Sequence, residues 1–525
     1  MSETKRRPSY IRGALLLTAC SILARFLGIF FKIPLARIIG DYGMGLFGYP
    51  YPIYSFFVSL SVIGLPLAIS KMTSESMSLG RYDHTHQIFR ISLVVLIGLG
   101  VLCSTALVFF AKPLISVLGW PEETYHSIIG LSLTPLFVSY MATYRGYFQG
   151  LQTMVPTALS QIVESVFRVV VGLALAVYFL KTKDIAWAAG GAAFGAAAGA
   201  FGGSLLVTAM YGYYKKKKIV IPQRIGHGYR ERVGQTIRTL FVIAIPASFA
   251  SIVVSLMNMI NSVTVARCLQ NAGIDIVTAT EIWGQLSQKV QTVINVPMLL
   301  GVGLAAALVP AISESLATNN QKELEEKTSL ALRTVVIITF PASVGLFVLA
   351  TPIIKLLFGS ASGGGELMMY LSFTCITTVL FIVLQAVLQG LGKMGLPIRN
   401  LAIGGAIKLI LNITLISKPS LHIYGLILAT YIAETIIVVL NYASVKKYIR
   451  FTLDKKNVIL KPALCSIIMG ILAYVSYGLL RSAIGSNFAV IAAIAVGGAV
   501  YCATLLLTGT LNKEEMRSLL RRRQK

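Results

Sequence analysis

The sequence predicts an all-α integral membrane protein, and three observations carry that reading. Of 525 residues, 56% are hydrophobic and only 13% charged, against roughly 25% charged in a soluble domain. The mean hydropathy is +0.76. Apolar runs bounded by charged or Gly/Pro-rich breaks fall at about 11–39, 47–71, 88–111, 125–150, 154–180, 185–214, 237–268, 281–316, 327–351, 366–392, 396–417, 422–448, 457–480 and 487–510. Most reach the roughly 20 residues that cross a hydrocarbon core, so fourteen transmembrane helices are expected. That many spans with short loops leave no room for a sizeable soluble catalytic domain.

The first helix comes after a basic start, MSETKRRPSY. Its apolar stretch runs past a signal-peptide core and lacks a small-residue cleavage site, so it is expected to be retained. With the N-terminus in the cytoplasm, the inner loops collect Lys5, Arg6, Arg7, Arg81, Arg90, Lys215 to Lys218, Arg224, Arg230, Arg232, Lys446, Lys447, Arg450, Lys455, Lys456, Arg521, Arg522, Arg523 and Lys525. The opposite loops keep Lys112, Lys181, Lys183, Lys355, Lys418, Arg481 and, at a span end, Arg267. This positive-inside asymmetry places both termini in the cytoplasm. Lys and Arg total 46 against 20 Asp and Glu, a net charge of +26, which in a soluble protein would suggest nucleic acid. Here most of the excess is topology, with anionic phospholipid as a further partner, and nucleic-acid binding is not expected.

The middle helices repeat the first ones. AKPLISVLG at 111–119 returns as ATPIIKLLFG at 350–359, and FQGLQTMVP at 148–156 as LQGLGKMGLP at 388–397. LARIIG at 35–40 is echoed by VARCLQ at 265–270, LAIS at 67–70 by PAIS at 310–313, and the spacing from Gln149 to Arg168 equals that from Gln389 to Lys408. Echoes in chain order at nearly one offset point to an internal repeat. The expected organisation is an N-lobe at 1–235 with helices 1–6, a C-lobe at 236–455 with helices 7–12, and 456–525 with helices 13–14 and a basic tail. Six is even, so both copies start from the same side and form a 6+6 parallel repeat, which places a cavity between lobes.

The chemistry has to reside in the spans. Arg25, Lys32, Arg37, Arg145, Arg168, Lys289 and Lys408 lie within them, against Glu164, Glu434 and, near a helix end, Glu281. An ionised side chain at mid-bilayer costs about 2.5–3.5 kcal/mol on the insertion scale and must face water or a partner. The excess of cations therefore points to an anionic ligand. Arg37 and Arg145, near span ends, also fit interfacial snorkelling. Arg25 and Lys32 are seven residues apart and share a helix face. Gln285, Gln288, Lys289, Thr292 and Asn295 on helix 8 fall in a wedge of about 120° on a straight helix. Arg25, Lys32 and Lys289 are expected to converge on one cavity. Helix 7 presents Ser248, Ser251, Ser255, Asn258 and Ser262 on one face, which suits close helix packing at least as well as ligand binding. Arg168 and Lys408 either pair with Glu164 or cap lobe interiors.

Several patterns have plainer explanations. Gly191, Gly195, Gly199 and Gly203 form a small-residue packing ladder on helix 6. His84 and His86 lack a third ligand for a metal. Gly363, Gly364 and Gly365 lack the strand, Lys and Ser/Thr of a phosphate loop. The six cysteines are scattered through apolar runs and suggest neither disulfides nor zinc. Pro34, Pro66, Pro246, Pro297 and Pro310 are expected kinks. No metal or other cofactor is expected.

The segments SILARFLGIFFKIPLARIIG (21–40), SVIGLPLAISK (61–71), YRGYFQGLQTMVPTALSQIVESVFR (144–168) and LQGLGKMGLP (388–397) resemble the polysaccharide-transporter branch of the multidrug/oligosaccharidyl-lipid/polysaccharide (MOP) exporter superfamily. More narrowly, the chain resembles the SpoVB/YtgP-type relatives of the MurJ lipid II flippases over essentially its whole length. The resemblance implies a non-enzymatic, monomeric flippase of the bacterial plasma membrane. It would move undecaprenyl-diphosphate-linked peptidoglycan precursor, a lipid-linked saccharide diphosphate, to the outer leaflet by alternating access, in cell-wall synthesis or sporulation. The family's helix-1 motif falls on Ser21, Arg25 and Gly28, with basic character at Lys32. Where Gram-negative members carry an Arg-Asp pair this chain reads Phe31-Lys32, and their helix-2 arginines have no counterpart here. Their helix-8 arginine aligns only approximately, with Lys289 or Gln291. Competing readings are a flippase for another lipid-linked polysaccharide, a MATE-like cation-coupled drug exporter, which would favour intramembrane carboxylates, and a membrane glycosyltransferase, which would need larger outer loops.

Overall fold

A computed structural model describes residues 7–62, 64–217, 229–359, 362–451 and 456–509. Lys5, Arg6, Lys218, Arg224, Lys455, Arg521, Arg522, Arg523 and Lys525, which carry part of the orientation argument, lie outside the described residues. Regular structure is helical throughout, with no strand among the described residues. Among the described residues thirteen helices are long and apolar enough to cross a membrane, or fourteen if Gly365–Leu371 and Thr374–Gly390, bent by 46°, form one span. The chain packs as two compact units, Met1–Arg267 with Asp275–Gly284, and Cys268–Ile274 with Gln285–Lys525. The lobes at 1–235, 236–455 and 456–525 are drawn from the repeat and stay a proposal about organisation.

The first unit holds α1 (Arg7–Gly48), α2 (Tyr51–Val62), α3 (Leu65–Ser78), α4 (Tyr82–Phe109), α5 (Ala111–Leu118), α6 (Thr124–Ser132), α7 (Thr134–Gly150), α8 (Val155–Thr182), α9 (Ile185–Lys216), most of α10 (Val233–Asn271), and α11 (Ile276–Gly284). α1 is two helices joined at Gly40, whose φ of 64° is open to glycine. The second expected span is broken into α2 and α3 at Gly64, with φ 58° and Pro66 in the first turn beyond it. A Cβ at Gly64 would stand 2.6 Å from Ser248 Oγ, so α10 crosses there only because the side chain is missing. Ser255 and Ser262 of α10 pack along this crossing: Ser255 Oγ lies 3.0 Å from Ser59 Oγ, and Ser262 donates to the Tyr49 carbonyl at 2.6 Å.

The glycine ladder of α9 does what small residues do in apolar surroundings, letting backbones approach. Cβ atoms at Gly195 and Gly199 would press on the backbone carbonyls of Arg168 and Glu164, at 2.7 and 2.5 Å. α9 itself starts at Asp184, whose Oδ1 accepts from Trp187 N–H at 2.9 Å. At the far end of α1, Gly45 lies against the Thr280 carbonyl and Gly284 against that of Asp41. Buried Tyr49 stacks between Trp120 and Trp283, with ring centroids at 5.3 and 5.7 Å. These contacts tie α11 to α1. Asp275, outside the spans, accepts from Thr278 N–H at 2.9 Å, and such backbone hydrogen bonds hold its carboxyl below the usual range.

The second unit opens with a π-helical turn, Gln285–Val290, and continues with α12 (Gln291–Ala317), α13 (Gln321–Val348), α14 (Ala350–Phe358), α15 (Gly365–Leu371), α16 (Thr374–Gly390), α17 (Gly395–Leu411) with a second π turn at Asn412–Ile416, α18 (His422–Lys446), a third π turn at Lys456–Leu460, α19 (Lys461–Ile484) and α20 (Ser486–Leu507). α19 and α20, outside the repeat, pack on each other and on α13 through Cys465, Met469, Tyr501 and Leu505, and the Tyr501 hydroxyl donates to the Ile337 carbonyl at 2.8 Å.

The echoes in the sequence recur as local structure. α5 and α14 are equivalent short helices, ended by Gly119 and Gly359 at positive φ. The turn from α7 to α8 bonds Gln152 N–H to Gln149 O and Thr153 N–H to Phe148 O, both at 2.9 Å. At an offset of 240 residues, Gly392 N–H meets Gln389 O and Lys393 N–H meets Leu388 O at the same distance. The residue in the left-handed conformation is glycine in the second copy, with φ 72°, and Gln152 in the first, with φ 58°. A side chain there is strained by about 1–2 kcal/mol. Gln152→Gly is therefore expected to stabilise the chain by about 0.5–1 kcal/mol after the entropy of glycine is subtracted. Thermal unfolding in detergent should show a small rise in midpoint, whereas Gly392→Gln should lower it.

Candidate functional site

The stripe on α1 forms as the spacing requires. Arg25 is exposed and Lys32 half-buried, and each is about a turn from Gly28. A Cβ built on Gly28 meets nothing within 4 Å, so space lies open between the two cations. Ser21, a turn before Arg25, donates to Gln161 Oε1 on α8 at 2.8 Å. Arg37 is exposed.

Beside this stripe lies a charge cluster that the sequence shows only in part. Glu164 on α8 receives two guanidiniums: Arg145 Nη2 from α7 at 3.0 Å and Arg168 Nη2, one turn along α8, at 2.9 Å. Arg145 Nε also donates to Ser160 Oγ at 2.8 Å. All three charged side chains are largely buried, between 16% and 27% exposed. Arg145 is thus held inside the unit, not free at an interface, because the tight turn at Gln152 folds α7 back along α8. Of the two readings open for Arg168, pairing with Glu164 is the one observed. The Arg168 Nε is buried with no hydrogen-bond partner among the described residues.

Helix 8 departs from the straight-helix arithmetic. The π turn has about 4.4 residues per turn in place of 3.6 and rotates the residues beyond it. Gln288, Lys289 and Thr292 are at most 4% exposed, Gln285 is half-buried, and Asn295 is exposed, accepting from Gln291 Nε2 at 3.0 Å. Lys289 is enclosed in the second unit with Nζ 5.8 Å from the centre of the Phe358 ring, a cation–π distance. On α10, Asn258 is exposed and Ser255 is used in packing.

The second unit carries its own intramembrane pair. Glu434 on α18 accepts from Thr377 Oγ1 and, at 3.2 Å, from Thr378 Oγ1, both on α16, and Lys408 on α17 feels its charge. Nothing in the spacing of Glu434 predicts the threonines, which come from another helix. His84 donates or accepts with Ser76 Oγ at 2.9 Å and lies 3.5 Å from Glu231, a local polar contact. No group of three or more His, Cys, Asp or Glu suited to a metal occurs among the described residues.

Comparison with known proteins adds to this geometry. The family described as polysaccharide biosynthesis protein matches residues 10–316, and the MatE family matches 246–414. The chain is 29% identical over 519 residues to stage V sporulation protein B of Bacillus subtilis (strain 168), with 98% of each chain covered. It is also 29% identical over 523 residues to lipid II flippase MurJ of the same organism, with 94% of each covered. A solved structure of lipid II flippase MurJ in an inward closed conformation superposes with a TM-score of 0.66 at 16% identity, covering 94% of this chain and 98% of that one. The fold is shared with that transporter.

Removing the shared carboxylate while keeping its shape leaves two buried guanidiniums uncompensated. Glu164→Gln is expected to destabilise the chain by about 1–3 kcal/mol, more than Arg145→Gln, which leaves a paired Glu164–Arg168 behind. Thermal melts of the two variants and their double mutant should show non-additive losses.

Proposed function

The chain belongs to the polysaccharide biosynthesis protein family, and from that membership we propose that it is a flippase moving a lipid-linked saccharide diphosphate from the inner to the outer leaflet of a bacterial plasma membrane. The observation that carries this reading is the α1 stripe, where Arg25 and Lys32 flank open space at Gly28 within a membrane-spanning helix. Cations at that depth match a diphosphate. A drug exporter would draw on free carboxylates, whereas Glu164 is taken by two arginines. The finer substrate is lipid II, the undecaprenyl-diphosphate-linked peptidoglycan precursor. That choice rests on the MurJ relative, and the sporulation relative at equal identity keeps a related lipid-linked polysaccharide as the alternative. Gln285, Gln288, Lys289, Thr292, Asn295, Asn258, Ser255, Arg37 and Arg145 are further proposed contacts. Lys289, enclosed as it is, requires a change in the π turn before it can meet a ligand. Cytoplasmic termini, anionic phospholipid at the basic loops and a monomeric state complete the proposal.

With the cytoplasm negative, outward movement of anionic headgroup is downhill by about 2.3 kcal/mol per charge per 100 mV, roughly 4–5 kcal/mol for two charges. The emptied cationic site is drawn back by the same potential. Transport then proceeds without ATP, in keeping with alternating access of the two lobes.

The site is tested by complementation of a flippase-depleted strain with outer-leaflet lipid II as readout. Arg25→Ala should abolish rescue at normal membrane expression, and Arg25→Lys should retain part of it, since charge survives but the forked geometry does not. Full rescue by the alanine variant would overturn the assignment. The energetics are tested by collapsing the potential with valinomycin at matched K⁺ while the pH gradient is kept. Flipping should fall several-fold; undiminished flipping, lost only when an ion gradient is collapsed, would reject potential-driven return in favour of antiport.

A further inference from the structure

Two contacts fix how α8 lies along α1. Ser21 meets Gln161, and Phe31 packs against Gly172, where a Cβ would stand 3.0 Å from its ring. The contacts run in the same order on both helices, so α1 and α8 are parallel. Seven residues beyond Ser21 is Gly28, and seven beyond Gln161 is Arg168, so both have risen about 10 Å and stand at one level. Gln161, Arg168 and Gly172 recur at the spacing of one helix face, the face of α8 turned toward α1. On α1, Gly28 lies about 20° from Ser21 and about 60° from Phe31 around the axis, inside the wedge that faces α8, with Arg25 and Lys32 at its margin. The open space at Gly28 is therefore bounded by cations on both helices.

We propose that Arg168 is a third phosphate-binding cation that closes an anion subsite around Gly28 with Arg25 and Lys32, and that Glu164 is its positioning residue. This rests on the reading of the α1 stripe as a ligand site. Glu164 takes Nη2 of Arg168 and leaves Nε, a buried donor with no partner among the described residues, for an incoming acceptor. Two arginines less one glutamate leave a charge of +1 on the α7–α8 side. Arg25 and Lys32 raise the subsite to +3, suited to a diphosphate more than to a monophosphate. Arg145 binds the other carboxylate oxygen of Glu164 and is itself held by Ser160, and the α9 glycines lie against the backbones of both Glu164 and Arg168. The fork is preorganised, so little side-chain entropy is lost when an anion arrives. Gly28 serves by its volume: a Cβ there meets no protein atom within 4 Å, and a larger side chain would fill the space a phosphate needs.

The test is equilibrium binding of farnesyl diphosphate to the full-length chain in detergent, with farnesyl monophosphate and inorganic pyrophosphate as comparison ligands. Arg168→Gln is expected to weaken farnesyl diphosphate by about tenfold or more, the loss of one charge-assisted hydrogen-bonding group. Arg168→Lys should recover part of that affinity, and the monophosphate should be affected less. Gly28→Leu should abolish binding without lowering the melting temperature. If Arg168→Gln fails to fold, Arg168→Lys decides: an undiminished preference for the diphosphate over the monophosphate in that variant would overturn the third cation. Binding within twofold of the parent in both Arg168→Gln and Gly28→Leu, with Arg25→Gln and Lys32→Gln still weakened, would overturn the third cation and leave the α1 site standing. Unchanged binding in Arg25→Gln and Lys32→Gln would overturn the α1 site itself. Pyrophosphate binding as tightly as the lipid would overturn the assignment to a lipid headgroup.

Discussion

The arrangement of the first unit depends on Glu164. A carboxylate and two guanidiniums at bilayer depth are tolerated only if they neutralise one another, and that single requirement fixes three helices. α7 must return along α8 for Arg145 to reach Glu164, which the tight turn at Gln152 provides. α9 must lie close enough to exclude lipid from the cluster, which its glycines allow by contact with the Glu164 and Arg168 backbones. α1 then packs on the remaining face of α8, and its own cations come to the same level as Arg168. A hydrophobic side chain at 164 would leave the two arginines to repel each other in a medium that offers no screening.

Much of this is legible in the sequence, and the rest is hidden for identifiable reasons. Spans follow from length and hydropathy, and the Arg25–Lys32 stripe follows from a seven-residue spacing on a helix that is regular over that stretch. The glycine ladder is legible because small residues at every fourth position have one common use. The place of Arg145 is not, because helical arithmetic looks only along one helix, whereas its partner lies across a hairpin. Positions 145 and 164 are nearly equidistant from the turn at 152–154, and that symmetry is the available signal. Helix 8 shows the opposite failure, since a π turn cannot be seen in spacing and it rotates every later residue of the predicted stripe.

The echoed segments of the sequence allow one pair of positions to be compared. Arg168 and Lys408 stand 240 residues apart; Arg168 pairs with Glu164, and Lys408 lies in the field of Glu434. The carboxylates are not equivalent. Glu164 is one turn before Arg168 on the same helix, whereas Glu434 comes from the next helix and is held by threonines of α16. A cation stands at both positions and a carboxylate reaches each by a different route, as expected if the constraint is neutralisation at depth and not a particular pair.

The two units also differ in what they do with surplus charge. In the first, two arginines share one acid, so a net positive charge remains, and α1 adds two further cations around an unfilled gap. In the second, Lys408 lies in the field of Glu434, and Lys289 is enclosed beside the Phe358 ring. A site that must bind and release a diphosphate cannot have its cations fully compensated, because a guanidinium saturated by carboxylates has no donors or field left for a phosphate. Partial compensation is the workable condition: enough acid to make the charges tolerable when the site is empty, and one acid too few for them to be indifferent to an anion. The first unit meets that condition, which is why the α1 stripe and Arg168 carry the functional proposal.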